Sequence, residues 1–162
     1  MKPTLPQKLS TAVFSSLMGL FVYFSLTSIG TFRHFLLLSN HWTHNQINHL
    51  SISYIYGDTI GLFLALFLLN RIKLKTTLIS AFFISIICFT GLAFIKNPTL
   101  MIWLRFASGI FHAFVFLSVL RLITHYYNGK DQGFYFSLCI SIILTGGVLS
   151  GSPLHFLLSN AH

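Results

Sequence analysis

Acidic residues are almost absent from this sequence, which has two Asp or Glu among 162 residues against ten Lys or Arg. Soluble globular domains carry about 25% charged residues to cover their surface. At 7% charged and 54% hydrophobic, with a mean hydropathy of +0.78, this chain falls outside that class. The scarcity of charge indicates that its surface faces lipid.

The same scarcity excludes several function classes. The sequence has no carboxylate pair, no Ser-His-Asp order with a free acid and no phosphate-binding loop, so we expect no enzyme activity. Its two cysteines, Cys88 and Cys139, lie in apolar runs and offer neither a disulfide framework nor a metal pattern. We expect no cofactor and no metal. The net charge of +8 has no basic cluster interleaved with stacking aromatics, so we expect no nucleic-acid partner.

Five long apolar runs, bounded by turn signals, dominate the chain. A helix needs about 20 apolar residues to cross the roughly 30 Å hydrocarbon core. The runs are too long for barrel strands of about 9–11 residues and do not alternate. The first is also too long for a signal peptide, so we expect it to remain as an anchor. The sequence predicts an all-α, polytopic membrane helix bundle, a single membrane domain over 1–162, with helices at 11–38, 49–70, 76–95, 99–126 and 132–158.

The positions of the basic residues predict the orientation, because positively charged loops are retained in the cytoplasm. Only Arg33 and Lys96 lie outside when the N-terminus is placed inside. The cytoplasmic set is then Lys2, Lys8, Arg71, Lys73, Lys75, Arg121 and Lys130. We therefore expect a multi-pass protein of a cell membrane, a bacterial inner membrane, with a cytoplasmic N-terminus and an external C-terminus.

Two of the predicted helices carry short motifs of a known family. In the fourth span, the stretch from Leu104 to Gly109 resembles the Arg-x-x-x-Gly motif on the fourth helix of major facilitator superfamily transporters, with Arg105 as the arginine. In the fifth span, the stretch from Gly147 to Pro153 is similar to the glycine and proline pattern of the fifth helix in the family's antiporters. Its proline comes one position late.

The turn after the second span resembles the family's cytoplasmic loop, Gly-x-x-x-Asp-Arg-x-Gly-Arg-Lys. Arg71 and Lys75 match that pattern. Four positions depart from it: Leu66, Asn70, Lys73 and Leu74 replace the first Gly, the Asp, the second Gly and the second Arg. The resemblance implies a cytoplasmic loop that changes its contacts between conformations, formed by Asn70, Arg71, Lys73 and Lys75.

The family fold consists of two six-helix bundles with the substrate site between them at the membrane midplane. The chain resembles five helices of the first bundle, an apparently truncated N-terminal half. The resemblance implies a secondary active transporter that moves a small solute across the lipid bilayer and needs a second half-transporter or a homo-oligomer. The alternative is a non-transporting multi-pass subunit or scaffold of a larger complex.

Two charged residues lie deep inside the predicted spans, far from their ends, and such groups are costly enough in hydrocarbon to be functional candidates. Asp58 is the acid and Arg105 the base. We expect them to form a buried pair facing a polar cavity. The alternatives are a purely structural ion pair, or an Asp58 hydrated near the outer interface.

Two further stretches are candidate cavity lining. His112 follows Arg105 by seven residues with Gly109 between them, so the three share a helix face; His112 has a proton or substrate role, or bonds to a neighbouring backbone or hydroxyl group. In the first span a small and polar stripe lines the cavity or packs against another helix. Its members are Ser16, Gly19, Tyr23, Thr27 and Gly30. The pathway candidates are thus Asp58, Arg105, His112, Tyr23 and Gly109.

Four histidines crowd the first external loop: His34, His41, His44 and His49. No Cys, Asp or Glu accompanies them, so a zinc or copper site is the less favoured interpretation. The favoured one is interfacial anchoring together with Trp42 and Trp103.

Overall fold

The computed structural model describes residues 5–39, 42–95, 97–127, 129 and 131–151. Within these ranges the chain forms five helices and no strand, and all five are long and apolar enough to cross a membrane. The prediction of an all-α bundle of five membrane helices is confirmed. The helices are α1 (Leu5–Ser39), α2 (His44–Leu68), α3 (Leu74–Phe94), α4 (Pro98–Tyr126) and α5 (Asp131–Ser150).

Local capping sets two of the helix starts. Thr43 caps α2 with a capping box, in which its hydroxyl accepts from the Gln46 amide and the Gln46 side chain accepts from the Thr43 amide. This box begins α2 five residues before the predicted start. Asn97 caps α4 ahead of Pro98, whose fixed φ suits the first helical turn. Lys2, Lys96, Lys130, Pro153 and the predicted end of the fifth span lie outside the described residues.

Trp42 packs into the bundle instead of anchoring at an interface. It is 6% exposed and shares a buried cluster with Ile47, Leu50 and Met101. Because Trp42 directly precedes the Thr43 cap and Ile47 is the fourth helical residue, the two occupy the positions of a hydrophobic staple. Trp103 is 64% exposed on the surface, as expected for an anchor.

Helices α2 and α4 run parallel in close contact because glycines remove side chains from their interface. A Cβ atom at Gly57 would overlap the Phe106 carbonyl, and one at Gly61 would lie 2.6 Å from the Ile110 carbonyl oxygen. Gly109 on α4 meets the Tyr54 carbonyl in the same way. Small residues spaced by four let membrane helices approach backbone to backbone.

A second parallel pair joins α1 and α5, and it uses the stripe predicted on the first span. A Cβ at Gly19 would collide with the Ile143 side chain, and the Thr27 and Ser150 hydroxyls are 2.5 Å apart. At Gly30, by contrast, a Cβ would meet nothing within 4 Å. The contacts of Gly19 and Thr27 match the helix-packing interpretation of this stripe.

The remaining contacts unite the two pairs. Both α1 and α4 contact all four other helices, and α3 packs mainly on α4. Phe21 of α1 meets Phe82 and Phe89 of α3 edge to face. The centre of the bundle is therefore the junction of α1 and α4.

Candidate functional site

A carboxylate and an imidazole meet halfway through the bundle. His112 is the middle residue of the 29-residue α4, and Asp58 lies just past the middle of the 25-residue α2. His112 Nδ1 is 2.8 Å from Asp58 Oδ1. The side chains are 10% and 30% exposed, respectively, so the carboxylate is the more accessible partner. With Asp58 ionised, Nδ1 carries the hydrogen and donates it.

The predicted pairing of Asp58 with Arg105 is corrected by the structure, in which Asp58 pairs with His112. Arg105 donates through Nη1 to the Ser25 backbone carbonyl of α1 at 3.0 Å. The physical reason is the register of the parallel helices, in which Arg121 of α4 lies beside Leu69 of α2 at one end. Measured from that end of the helix pair, Arg105 lies about five residues, or roughly 7 Å, farther away than Asp58 does.

Tyr54 lies close to both parts of the site. Its ring centroid lies 5.7 Å from the Arg105 guanidinium carbon and 5.7 Å from the His112 ring centroid. Sequence reasoning missed Tyr54, although it precedes Asp58 by four residues and therefore shares its helix face. The Tyr54 ring therefore lies beside both the permanent cation and the imidazole of the Asp58–His112 pair.

Arg105 is a buried cation without a carboxylate partner in the described part of the chain. It is 1% exposed, donates to the Ser25 carbonyl and lies over the Tyr54 ring. Its Nε and the Tyr54 hydroxyl are buried without a hydrogen-bond partner among the described residues. Each unsatisfied group costs about 1–3 kcal/mol, so this junction is energetically expensive.

The other two pathway candidates lie on α1 and α4. The ring of Tyr23 on α1 packs against Gly147 of α5. Gly109 is buried where α4 crosses the Tyr54 backbone. The structure thus brings Asp58, His112 and Arg105 around Tyr54, while Gly109 lets α2 and α4 approach.

The turn between α2 and α3 is short and mostly exposed. Asn70 donates from its amide to the Leu66 carbonyl at 3.4 Å, whereas Arg71, Lys73 and Lys75 are exposed. Lys73 occupies the N-cap of α3 without a side-chain capping bond. Arg121 of α4 donates to the Leu69 carbonyl, which satisfies an acceptor at the end of α2. Sequence reasoning had assigned Arg121 only to the cytoplasmic side.

The histidines of the first loop do not converge in the part of the chain that the structure describes. His44 and His49 are both exposed on the first turns of α2. His41 and the side chain of His34 lie outside the described residues. Among the residues that are described, no group of three His, Cys, Asp or Glu side chains is positioned to hold a metal ion.

Comparison with known families decides the identity of the bundle. The family model described as Major Facilitator Superfamily matches residues 15–161, a stretch that includes all or most of each helix. The chain belongs to the major facilitator superfamily. No curated protein and no solved structure matches it significantly. The resemblance seen in the sequence motifs is therefore confirmed, and this superfamily member is a multi-pass membrane protein of the major facilitator transporter type.

Proposed function

We propose that this chain is one bundle of a secondary active transporter that moves a small solute across the membrane. The observation that carries the proposal is the polar group at mid-depth, where Asp58, His112 and Arg105 surround the Tyr54 ring. Ionisable side chains are costly in hydrocarbon and most often mark a substrate or ion pathway. A bundle that served only as an anchor would be more stable with apolar residues there.

The exposed fraction of each side chain indicates its role in this pathway. Asp58 is the most accessible of the ionisable groups, so its carboxylate is the one available to a solute or proton from the aqueous side. His112 is positioned to share that role through its direct bond. Arg105 and Tyr23 support the site from within the bundle, and Gly109 brings their helices together.

We further propose that transport requires a second bundle, because a midplane site in this fold is formed between two bundles. A second half-transporter or a second copy supplies it. Helix α2 exposes large apolar residues, and such a surface suits contact with a second bundle or with lipid. They are Ile55, Tyr56, Phe63 and Phe67.

The topology is also a proposal. The N-terminus lies in the cytoplasm and the C-terminus outside a bacterial inner membrane, which places the turn between α2 and α3 on the cytoplasmic side. Its exposed Arg71, Lys73 and Lys75 are then free to change partners as the transporter changes conformation.

A non-transporting subunit is the second candidate function. The observation that favours it is that Asp58 and Arg105 each have a partner within the chain, His112 and the Ser25 carbonyl. Such contacts suit a scaffold that buries its polar residues to hold helices together.

Reconstitution distinguishes the two candidates. The tagged chain is purified in mild detergent, co-purifying proteins are identified, and liposomes are prepared with the chain alone and with each partner. We expect saturable, gradient-driven uptake from a panel of labelled sugars, amino acids and organic acids only when a second bundle or a stable homo-oligomer is present. Uptake by the monomer alone would contradict the need for a second bundle. Stable association with an unrelated complex, without uptake, would favour the scaffold.

A further inference from the structure

We propose that the turn between α2 and α3, together with Arg121 of α4, is a docking surface for the phosphate headgroups of anionic phospholipids. The inference goes beyond the proposed function, because it concerns the lipid around the chain and holds whether or not a solute moves through it. Residues 69–73 join two helices that are each long enough to cross the membrane. The turn therefore lies at the depth of the phospholipid headgroups.

Positive charge is concentrated on this turn and on the first turn of α3. Arg71, Lys73 and Lys75 are all exposed there. Arg121 comes 52 residues after Leu69 in the chain, but it donates to the Leu69 carbonyl, which brings a fourth cation to the same end of the bundle. A guanidinium has five N–H donors, so this one bond does not exhaust Arg121.

No carboxylate side chain in the described part of the protein pairs with these cations. The sequence has two acids, of which Asp58 lies at mid-depth and contacts His112. Asp131 begins α5 at the same end of the bundle as the turn, but α5 contacts neither α2 nor α3 within the described residues. Asn70 in the turn is neutral and donates to the Leu66 carbonyl. The positive charge of the turn is therefore available to an external anion.

Apolar side chains lie beside the charged ones and favour a lipid as that anion. Leu66 and Phe67 are exposed on the last turn of α2, and Ile72 is exposed within the turn itself. A soluble phosphate gains nothing from such a surface, whereas a phospholipid covers it with an acyl chain next to its phosphate. The apolar stems of Arg and Lys allow their charges to reach the headgroups from the same surface.

Charge complementarity distinguishes anionic from zwitterionic lipids at this surface. A zwitterionic headgroup also has a phosphate, but its own ammonium group offsets the negative charge. Each Lys or Arg near an anionic lipid surface strengthens binding about fivefold. Several such cations on one turn therefore select for a headgroup with a net negative charge.

Native mass spectrometry of the purified chain in a neutral detergent resolves individual bound lipids. The chain is titrated with phosphatidylglycerol, which is anionic, and separately with phosphatidylcholine, which is zwitterionic. We expect the first phosphatidylglycerol to bind at least about tenfold more tightly than the first phosphatidylcholine. Added salt should weaken the binding of phosphatidylglycerol, because it screens exposed charges. Equal affinities for the two lipids would overturn the inference.

Matched substitutions locate the surface. Lys73→Gln removes one charge from the turn and should weaken the first phosphatidylglycerol about fivefold. The control is Arg33→Gln, which removes an exposed cation from α1 toward the opposite end of the bundle and should change that affinity by less than about twofold. Equal losses in these two variants would overturn the inference, because binding would then follow the net charge and not the turn.

Two further variants separate charge from structure. Arg71→Lys keeps the charge and should bind within about twofold of the parent, whereas the triple variant Arg71→Gln, Lys73→Gln and Lys75→Gln should bind about 100-fold more weakly. The three side chains are exposed, so the helical circular dichroism signal should match that of the parent. Parent-like lipid binding by the triple variant would overturn the inference.

Competition distinguishes a lipid from a soluble anion. The chain with bound phosphatidylglycerol is mixed with an excess of inorganic phosphate or glycerol 3-phosphate at constant ionic strength. We expect the lipid to remain bound, because neither competitor has an acyl chain to cover the apolar part of the surface. Displacement by either competitor at a concentration equal to that of the lipid would assign the surface to soluble phosphates and overturn the lipid as its occupant.

Discussion

The Arg105 guanidinium donates to the backbone carbonyl of Ser25 and thereby joins α4 to α1 near the centre of the bundle. The acceptor is neutral, so the bond holds the two helices together without neutralising the charge. A buried charge lacking an ionic partner is a net cost that well-packed apolar residues avoid. The bond therefore positions Arg105 but does little to offset its desolvation.

This relationship predicts an unusual response at Arg105. Arg105→Met keeps most of the side-chain volume and removes the charge, so the melting temperature in detergent should equal or exceed that of the parent. Arg105→Ala leaves a cavity and should cost about 3 kcal/mol. Thermal unfolding monitored by circular dichroism measures both. A Met variant as unstable as the Ala variant would contradict the view that the charge is uncompensated.

A pair of double-mutant cycles tests the pairing at mid-depth. Asp58→Asn and His112→Gln should show a coupling free energy of about 1–3 kcal/mol, because the two side chains share a charge-assisted hydrogen bond. Asp58→Asn and Arg105→Gln should be close to additive, with a coupling below about 0.5 kcal/mol. Unfolding free energies of the four variants in each cycle provide the measurement. Strong coupling to Arg105 and weak coupling to His112 would reverse the pairing.

The close glycine contact between α2 and α4 predicts that one added methyl group lowers the free energy of unfolding strongly. Gly57→Ala should destabilise the bundle by at least about 2 kcal/mol, because the new Cβ overlaps the Phe106 carbonyl and the helices must separate. The matched control is Gly133→Ala on α5, where a Cβ meets nothing within 4 Å. That variant should be neutral or stabilised by up to about 1 kcal/mol. Equal effects at both sites would rule out close packing at Gly57.

The hydroxyl contact between α1 and α5 predicts a smaller effect. Thr27→Val removes the bond to Ser150 and should cost roughly 0.6 kcal/mol, the average for such bonds between membrane helices. Thr145→Val is the control, since that exposed hydroxyl donates only within its own helix, to Ile142. Detergent unfolding of the two variants should differ by that amount. A larger loss at Thr145 would show that the interhelical bond contributes nothing specific.

Cysteine labelling tests the orientation. The native Cys88 and Cys139 are buried, so they give little background reaction. A cysteine at the exposed Asn45 should react with an impermeant maleimide in intact cells, whereas one at the exposed Lys73 should react only after the membrane is opened. The opposite pattern would place the N-terminus outside.

The sequence predicted the helices well because hydrophobic length is a direct physical requirement of the bilayer. The predicted first residue of a helix was less accurate where a side-chain cap sets the start. At Thr43, for example, the capping box extends α2 into a polar stretch. The Trp42 staple was missed for the same reason. Its burial depends on how the chain enters the helix and not on composition.

The structure brings Asp58, Arg105 and His112 close to one another, but with a pairing that the sequence did not predict. Asp58, Arg105 and His112 stood out because ionisable residues are rare in spans. Choosing between Arg105 and His112 as the partner of Asp58 requires the register of α2 against α4, and the glycines at 57, 61 and 109 determine that register. The Gly57-x-x-x-Gly61 spacing was the available signal. The contribution of Ser25 has no sequence signal, since a main-chain carbonyl is common to every residue.

The two glycine-lined interfaces have a mechanical consequence. The backbones of α2 and α4, and those of α1 and α5, approach closely at these glycines, so we expect each pair to move as a unit. Between these units the junction carries the bond from Arg105 to Ser25 and the edge-to-face rings around Phe21. We expect any bending of the bundle to concentrate there, with Arg105 as the pivot of a hinge that opens beside Tyr54.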